Sequence, residues 1–227
     1  MRRSCNCVLI SALLAVLFSL AASAQEFPKA EVFGGYSYLH IDTQGITTAS
    51  LNNQCAVAFG AGCPVTFQVH PGFNGWNIAP QVNLNRWFGV KAQIAGQYGN
   101  VVSIKFNSTL PIPPLSFPGQ HIYDFLFGPV VSHRGDKYTA FVHGLFGAQH
   151  VGFTGNVAVP AGGFSFAGPS ETDFAFALGG GLDVKVSKHF AVRAGQFDYE
   201  FVNSSGGGHQ NDFRLSAGVL FRLGGEK

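Results

Sequence analysis

Histidine and cysteine are the residue types in this chain best able to do chemistry, and 227 residues carry 8 histidines and 4 cysteines. The histidines are scattered. His40, His70, His121, His150 and His209 fall in or beside segments that join alternating stretches, His133 and His189 fall in short polar turns, and His143 lies within an alternating stretch. No pair has the i, i+2 or i, i+4 spacing from which two imidazoles converge on one ion, so neither a metal nor a cofactor is expected. Nucleophilic catalysis has no better footing. There is no G-x-S-x-G, no His-x-Ser pair on a strand, and spacing alone places no Ser or Asp beside His143. The expectation is a protein that is not an enzyme. Cys55 and Cys63 share a polar, Gly-rich segment without a neighbouring His or Asp. In an exported chain they suit a local disulfide, worth roughly 2 to 3 kcal/mol.

Export follows from the start of the chain. Arg2 and Arg3 precede an apolar run from Val8 to Leu20, and Ala22-Ser23-Ala24 follows as a small-residue cleavage site. Residues 1–24 are therefore expected to be a signal peptide and 25–227 a single domain. Cys5 and Cys7 leave with the signal, and neither precedes the cut closely enough for a lipoprotein anchor. Charged residues make up only 11% of the chain, against roughly 25% for ordinary soluble domains. The net charge of +2 has no Lys/Arg cluster behind it, which argues against nucleic acid as a partner. After the signal, no run approaches the roughly 18 to 20 apolar residues of a membrane helix. If this chain enters a membrane, it does so as strands.

The stretch from Trp76 to Tyr98 shows how. Trp76, Ile78, Val82 and Leu84 alternate with Asn77, Gln81, Asn83 and Asn85, and after the turn Phe88, Val90, Ala92, Ile94 and Tyr98 face away from Lys91, Gln93 and Gln97. Strict period two over both arms is a hairpin. Its aromatic residues stand at two levels about ten residues apart, the length a tilted strand needs to cross a bilayer.

Six more stretches repeat the pattern: Glu31 to His40, His121 to Ser132, Tyr138 to His150, Asp173 to Lys185, Phe190 to Phe201 and Asn211 to Leu223. With the two hairpin arms counted in chain order, Phe174, Phe176, Leu178, Leu182 and Val184 of the sixth strand alternate with small and acidic residues. In the seventh, parity changes between Arg193 and the even set Gln196, Asp198 and Glu200, which predicts a β-bulge near Ala194 and Gly195. Pro80 and Pro129 fall inside strands and are each expected to mark a bulge or a strand end. The intervening segments, about 42–74, 99–120 and 152–171, are rich in Gly, Thr, Asn or Pro and are expected to be irregular. Pro111, Pro113, Pro114 and Pro118 would bar a paired central strand from the second of them. His133-Arg134-Gly135-Asp136-Lys137 makes a short polar turn. Long and short connections thus alternate along eight strands, as in membrane barrels with long outer loops and short periplasmic turns.

A sheet with an apolar outer face cannot leave an edge open in lipid, so the last strand must pair with the first. The fold class expected is an all-β, eight-stranded antiparallel up-and-down transmembrane β-barrel. At eight strands the interior is wide enough only for side chains, which makes a filled lumen the default. That lumen is expected to hold Lys91, Gln93, Asp124, His143 and Arg214, with ion pairs between Asp183 and Arg193 and between Glu31 and Arg222. An anion pathway lined by Lys91 and Arg193 is the sharper alternative. Two aromatic girdles are expected, Trp87, Phe88, Tyr138, Phe190 and Phe221 on the periplasmic side and Tyr38, Trp76, Tyr98, Tyr123, Phe174 and Tyr199 on the outer side.

The exported start, the opening Val32-Phe33-Gly34-Gly35-Tyr36-Ser37-Tyr38 and the closing Phe213-Arg214-Leu215-Ser216-Ala217-Gly218-Val219-Leu220-Phe221 together resemble the small outer-membrane barrels of OmpA/OmpX type. The resemblance implies a cell outer membrane of Gram-negative type, contact with its lipid, insertion by the barrel assembly machinery and a monomer. Many such barrels end on an aromatic residue, whereas this chain continues past Phe221 through Arg222 to Lys227, and the peptidoglycan-binding role of that family is not expected here. Lipid A deacylases carry His and Ser on late strands where this chain has Val192, Ala194 and Phe197. The function expected is therefore non-enzymatic, with long extracellular loops serving a surface, structural or interaction role toward an unidentified extracellular partner. A small ion or solute pore is the runner-up. A soluble lipocalin-like carrier would need the opposite placement of its apolar face.

Overall fold

Side chains that alternate along a strand must choose opposite faces, and here the apolar set has turned outward. Phe174, Phe176 and Phe213 are 54%, 37% and 42% exposed, while Gln93 and Asp183 retain 0% and 4%. A computed structural model describes residues 27–60, 63–107, 115–116, 119–157, 164–203 and 208–224. The signal peptide expected at residues 1–24 lies outside the described residues, as do Pro111, Pro113, Pro114 and Pro118.

The barrel strands are β1 (Ala30–His40), β3 (Gly72–Asn83), β4 (Phe88–Gly99), β7 (Gly119–Arg134), β8 (Tyr138–Val157), β9 (Phe164–Lys185), β10 (Phe190–Asn203) and β11 (His209–Leu223). They close in the order β1-β11-β10-β9-β8-β7-β4-β3, every neighbour antiparallel. Closure rests on eleven residue pairs from Ala30↔Leu223 to His40↔Phe213. Among the described residues no helix is long and apolar enough to cross a membrane, which leaves strands free to do so.

Within the segments expected to be irregular, the structure finds ordered elements. Residues 42–74 contain a helix, α1 (Thr48–Phe59), and a short strand, β2 (Val65–Val69), while residues 99–120 contribute β5 (Val102–Phe106) and β6 (Leu115–Ser116). β2, β5 and β6 form a second, three-stranded sheet. α1 starts on a capping box in which Thr47 Oγ1 accepts from Ser50 N (3.0 Å) and Ser50 Oγ accepts from Thr47 N (2.9 Å). It has no pronounced apolar stripe, and only Cys55 is buried on it, so periodicity gave no helical signal. Cys55 and Cys63 are disulfide-bonded and tie the end of α1 to the approach to β2. The third segment, 152–171, is corrected most. β8 and β9 run on through it as far as Val157↔Phe164, with one register shift between Gly152 and Thr154. Above the membrane level neither face needs lipid, so pairing continues there without the alternation that reveals it.

Neither strand proline behaves as expected. Pro80 sits within β3, pairs with Val32, and leaves a lapse in the β3–β4 ladder between Ile78↔Ile94 and Gln81↔Lys91 without changing register. Pro129 does the same between β7 and β8, where Phe127↔Phe146 and Val130↔His143 keep one register. A missing N–H disables the ladder on one side only, so neither bulge nor strand end results. The bulge expected near Ala194 and Gly195 is present, with register shifts between Arg193 and Gln196 against β11 and between Arg193 and Gly195 against β9. The turn expected at His133 to Lys137 begins later, because β7 continues to Arg134.

At the β1/β11 seam Gly35 opposes Gly218, and a Cβ on Gly35 would lie 2.8 Å from Gly218 Cα. Gly34, one residue away on the outer face, has nothing within 4 Å of its Cβ position. Gly218→Val is expected to abolish the heat-modifiable gel band of a closed barrel, through overpacking of about 1 to 3 kcal/mol, whereas Gly34→Ala keeps it. Replacing Cys55 and Cys63 together by Ser is expected to speed proteolysis within residues 43–69 while that band survives.

Candidate functional site

The inward faces of the strands carry a column of charged side chains, and the fold positions each one by parity. At its base Glu31 of β1 accepts from Arg134 Nη2 (3.1 Å), Gln81 Nε2 (3.2 Å) and Asn83 Nδ2 (2.9 Å), and lies 3.6 Å from Arg222 Nε. The pairing of Glu31 with Arg222 follows from strand closure, Glu31↔Arg222. Arg134, read from sequence as part of a turn, is instead a buried member of this group. It also donates to Arg86 O (2.6 Å), and Arg86 Nη2 returns a bond to Arg134 O (3.3 Å).

The middle of the column depends on the β10 bulge. Arg193 and Gln196 are three apart and would face opposite ways in a regular strand, yet both point inward. Arg193 grips Asp183 with two bonds, Nε to Oδ1 at 2.7 Å and Nη2 to Oδ2 at 3.1 Å, and gives its third to Gln196 Oε1 at 2.6 Å. Its guanidinium lies between the rings of Phe33 and Phe141, 4.4 and 4.2 Å from their centroids. Lys91 Nζ reaches Gln196 Oε1 (3.3 Å) and His143 Nδ1 (3.2 Å) and sits 4.7 Å over the Phe141 ring. On the other side of that imidazole, His143 Nε2 is 3.0 Å from Asp198 Oδ1, close but poorly aligned for a hydrogen bond. Gln196 Nε2 donates to both Gln93 Oε1 (2.9 Å) and Asp198 Oδ2 (2.7 Å).

Higher still, Arg214 of β11 pairs with Glu200 (Nη1 to Oε1, 2.6 Å; Nη2 to Oε2, 2.9 Å) and with Asp124. Asp212 accepts from Asp42 N (2.9 Å), which ties the first connection to the barrel mouth.

Spacing alone put no acid beside His143; the structure corrects this with Asp198. The two are far apart in sequence, and a partner across the lumen leaves no trace in local pattern. The pair has the look of an acid–base dyad without a site, since Lys91, Gln196 and the Phe141 ring enclose it and both residues are buried. Among the described residues no group of three or more His, Cys, Asp and Glu side chains could hold a metal ion. The column can neutralise itself and fill space.

Large apolar residues share the interior with it, which an inward list of small and polar types did not include. Leu126, Leu145, Ala175, Ala177 and Val202 form one buried cluster, Phe33, Ala79, Ala191 and Leu220 a second, and Leu39, Ile41, Phe73 and Ile122 a third. The aromatic residues expected as girdles are outside. Trp87, Phe88, Tyr138, Phe190, Phe221, Tyr98, Phe174 and Tyr199 are exposed, and Tyr38, Trp76 and Tyr123 are half-buried. Phe190 and Phe221 stack edge-on at 5.3 Å, and Trp87 lies 5.2 Å from His133.

Comparison with known proteins agrees with this geometry. Residues 10–221 match the family described as outer membrane protein beta-barrel domain. Ail, the attachment invasion locus protein of Yersinia pestis, solved in complex with the heparin analogue sucrose octasulfate, is similar in fold. It is 17% identical, with a TM-score of 0.50 over 86% of this chain and 99% of its own. Neisserial surface protein A is similar too, at 8% identity and a TM-score of 0.54 over 86% of this chain and 97% of its own. No curated protein matches the chain.

Arg214→Met strands the carboxylates of Asp124 and Glu200 in the lumen. It is expected to cost about 3 to 5 kcal/mol in urea unfolding from lipid vesicles, with partial recovery when Asp124→Asn and Glu200→Gln are added.

Proposed function

The chain belongs to the outer membrane β-barrel family, and on that premise we propose that it is a monomeric, non-enzymatic surface protein with a sealed lumen, whose working part is the folded cap outside the membrane. Export by a cleaved signal peptide over residues 1–24 and insertion by the barrel assembly machinery into a Gram-negative outer membrane belong to this reading. The observation that carries it is the ladder of buried opposite charges in the lumen, Glu31 with Arg134, Asp183 with Arg193 and Glu200 with Arg214, with the rings of Phe33 and Phe141 over the Arg193 guanidinium. A conducting path would need those pairs to separate in a space already filled by their neighbours.

What the barrel presents outward supports an interaction role. α1 and the three-stranded sheet stand on the long connections, while at the opposite end the described strands are joined by tight turns such as Gly135–Lys137. Residues 43–69 of the cap carry no acidic residue and no Lys or Arg, and Val57 and Phe59 are 89% and 64% exposed. Contact with an extracellular partner through this surface would be led by shape and apolar area.

Single-channel recording from the refolded protein in planar bilayers tests the sealed lumen. Quiet bilayers are expected at protein doses that give full heat-modifiable folding. Discrete conductance steps, altered in size by Arg193→Gln or Lys91→Gln, would establish the pore instead.

A further inference from the structure

Outside the lumen the basic side chains gather at one end of the barrel. Lys29, Arg86, Lys137 and Lys188 are exposed and Lys185 is half-buried, all at the end of the tight turns, and among the described residues Asp136 is the one exposed acid beside them. At the cap end Lys105 is the one exposed Lys or Arg among the described residues, and Glu171 is exposed with it. The surface is lopsided in charge.

Backbone bonds arrange the bases as a rim. Asn83 N donates to Lys29 O (2.9 Å) and Lys29 N to Gly224 O (3.0 Å), which sets Lys29 between the end of β3 and the end of β11. Trp87 O accepts from Ser132 N (2.7 Å), Lys137 O from Lys185 N (2.8 Å) and His189 O from Arg222 N (2.8 Å). Each turn leans on the next strand, so the bases follow one another round the closed sheet.

Their neighbours in sequence fix the depth. Arg86 precedes Trp87, Lys137 precedes Tyr138 and Lys188 stands two before Phe190, so these rings of the periplasmic girdle each have a base one or two residues nearer water. The Arg86 guanidinium lies 5.6 Å from the Trp87 ring centre. Such rings rest at head-group level, and cations just beyond them stand among lipid phosphates. Turns as short as Gly135–Lys137 do not reach far past the head groups, which favours lipid over a polymer lying off the bilayer.

We propose that this rim gathers anionic phospholipid, of the phosphatidylglycerol type, from the periplasmic leaflet. The leaflet rests on the outer-membrane reading; the lipid does not.

The chain has 2 tryptophans, Trp87 on the rim and Trp76 at the outer girdle. The full chain with Trp76→Phe, and separately with Trp87→Phe, is refolded into phosphatidylcholine nanodiscs carrying increasing brominated phosphatidylglycerol or brominated phosphatidylcholine. Discs expose both leaflets, so the readout does not depend on orientation. Trp87 is expected to be quenched by phosphatidylglycerol at about fivefold lower lipid fraction than by phosphatidylcholine, and Trp76 by both alike. The preference fades at about 1 M salt and when Lys29→Gln, Lys137→Gln and Lys188→Gln are combined. Equal quenching of Trp87 by both lipids, an equal preference at Trp76, or a preference that survives the combined variant with its heat-modifiable band intact overturns the site. Pelleting with peptidoglycan sacculi that the combined variant loses, without any lipid preference at Trp87, gives the rim to the wall and overturns the assignment to lipid. The leaflet is read separately. Cys55 and Cys63 are bonded, so an impermeant maleimide on intact cells reports Lys188→Cys alone. No labelling is expected, and labelling overturns the periplasmic placement.

Discussion

Hydrocarbon neither gives nor takes a hydrogen bond, and every other feature of this molecule follows from how the backbone answers that fact. The answer is the pairing of β1 with β11, which leaves the eight barrel strands with neighbours on both sides at membrane level. Closing the sheet turns one face toward lipid and the other toward a confined interior. Phe, Val, Leu and Ile then cover the outside because burial in lipid is where their hydration cost is relieved. The polar alternates have nowhere to go but in.

That confinement explains why the interior charges come in sets of opposite sign. An isolated carboxylate or guanidinium in such a space would be several kcal/mol out of balance, and Glu31, Asp183, Asp124 and Glu200 each meet an arginine from another strand. The β10 bulge is part of the same solution. It rotates Arg193 and Gln196 to one face, so that one guanidinium serves both Asp183 and the amide network leading to Asp198. The Phe33 and Phe141 rings enclose that guanidinium and exclude water from it. A local irregularity in one strand thereby organises the centre of the lumen.

The spanning architecture could be seen in the sequence because period two is local, and a membrane imposes it over about ten residues of each strand, broken in β10 only at the bulge. Neighbouring strands could be aligned through their turns, which is why Arg193 could be set against Asp183 and Glu31 near Arg222. Contacts across the lumen could not. His143 with Asp198, and Arg134 with Glu31, join strands that are not adjacent in sequence, and only barrel radius and stagger bring them together. The parts outside the bilayer were hidden for a different reason. α1, β2 and the upper halves of β8 and β9 meet water, so their residues obey no common periodicity.

α1 meets β2 in an unusual way. Asn52 spans Phe67 with two bonds, Nδ2 to Phe67 O (3.0 Å) and Phe67 N to Oδ1 (2.8 Å), and Thr48 Oγ1 takes Val69 N (2.9 Å). Four residues of helix advance about 6 Å and two residues of strand nearly 7 Å, so one helical turn keeps step with alternate strand positions. Two short side chains thus impersonate a missing strand. Because their grip needs only an amide and a hydroxyl one turn apart, the helical positions other than the capping Ser50 and the bonded Cys55 are at liberty to drift, and this outer platform can acquire new surface chemistry by substitution while its scaffold stays put.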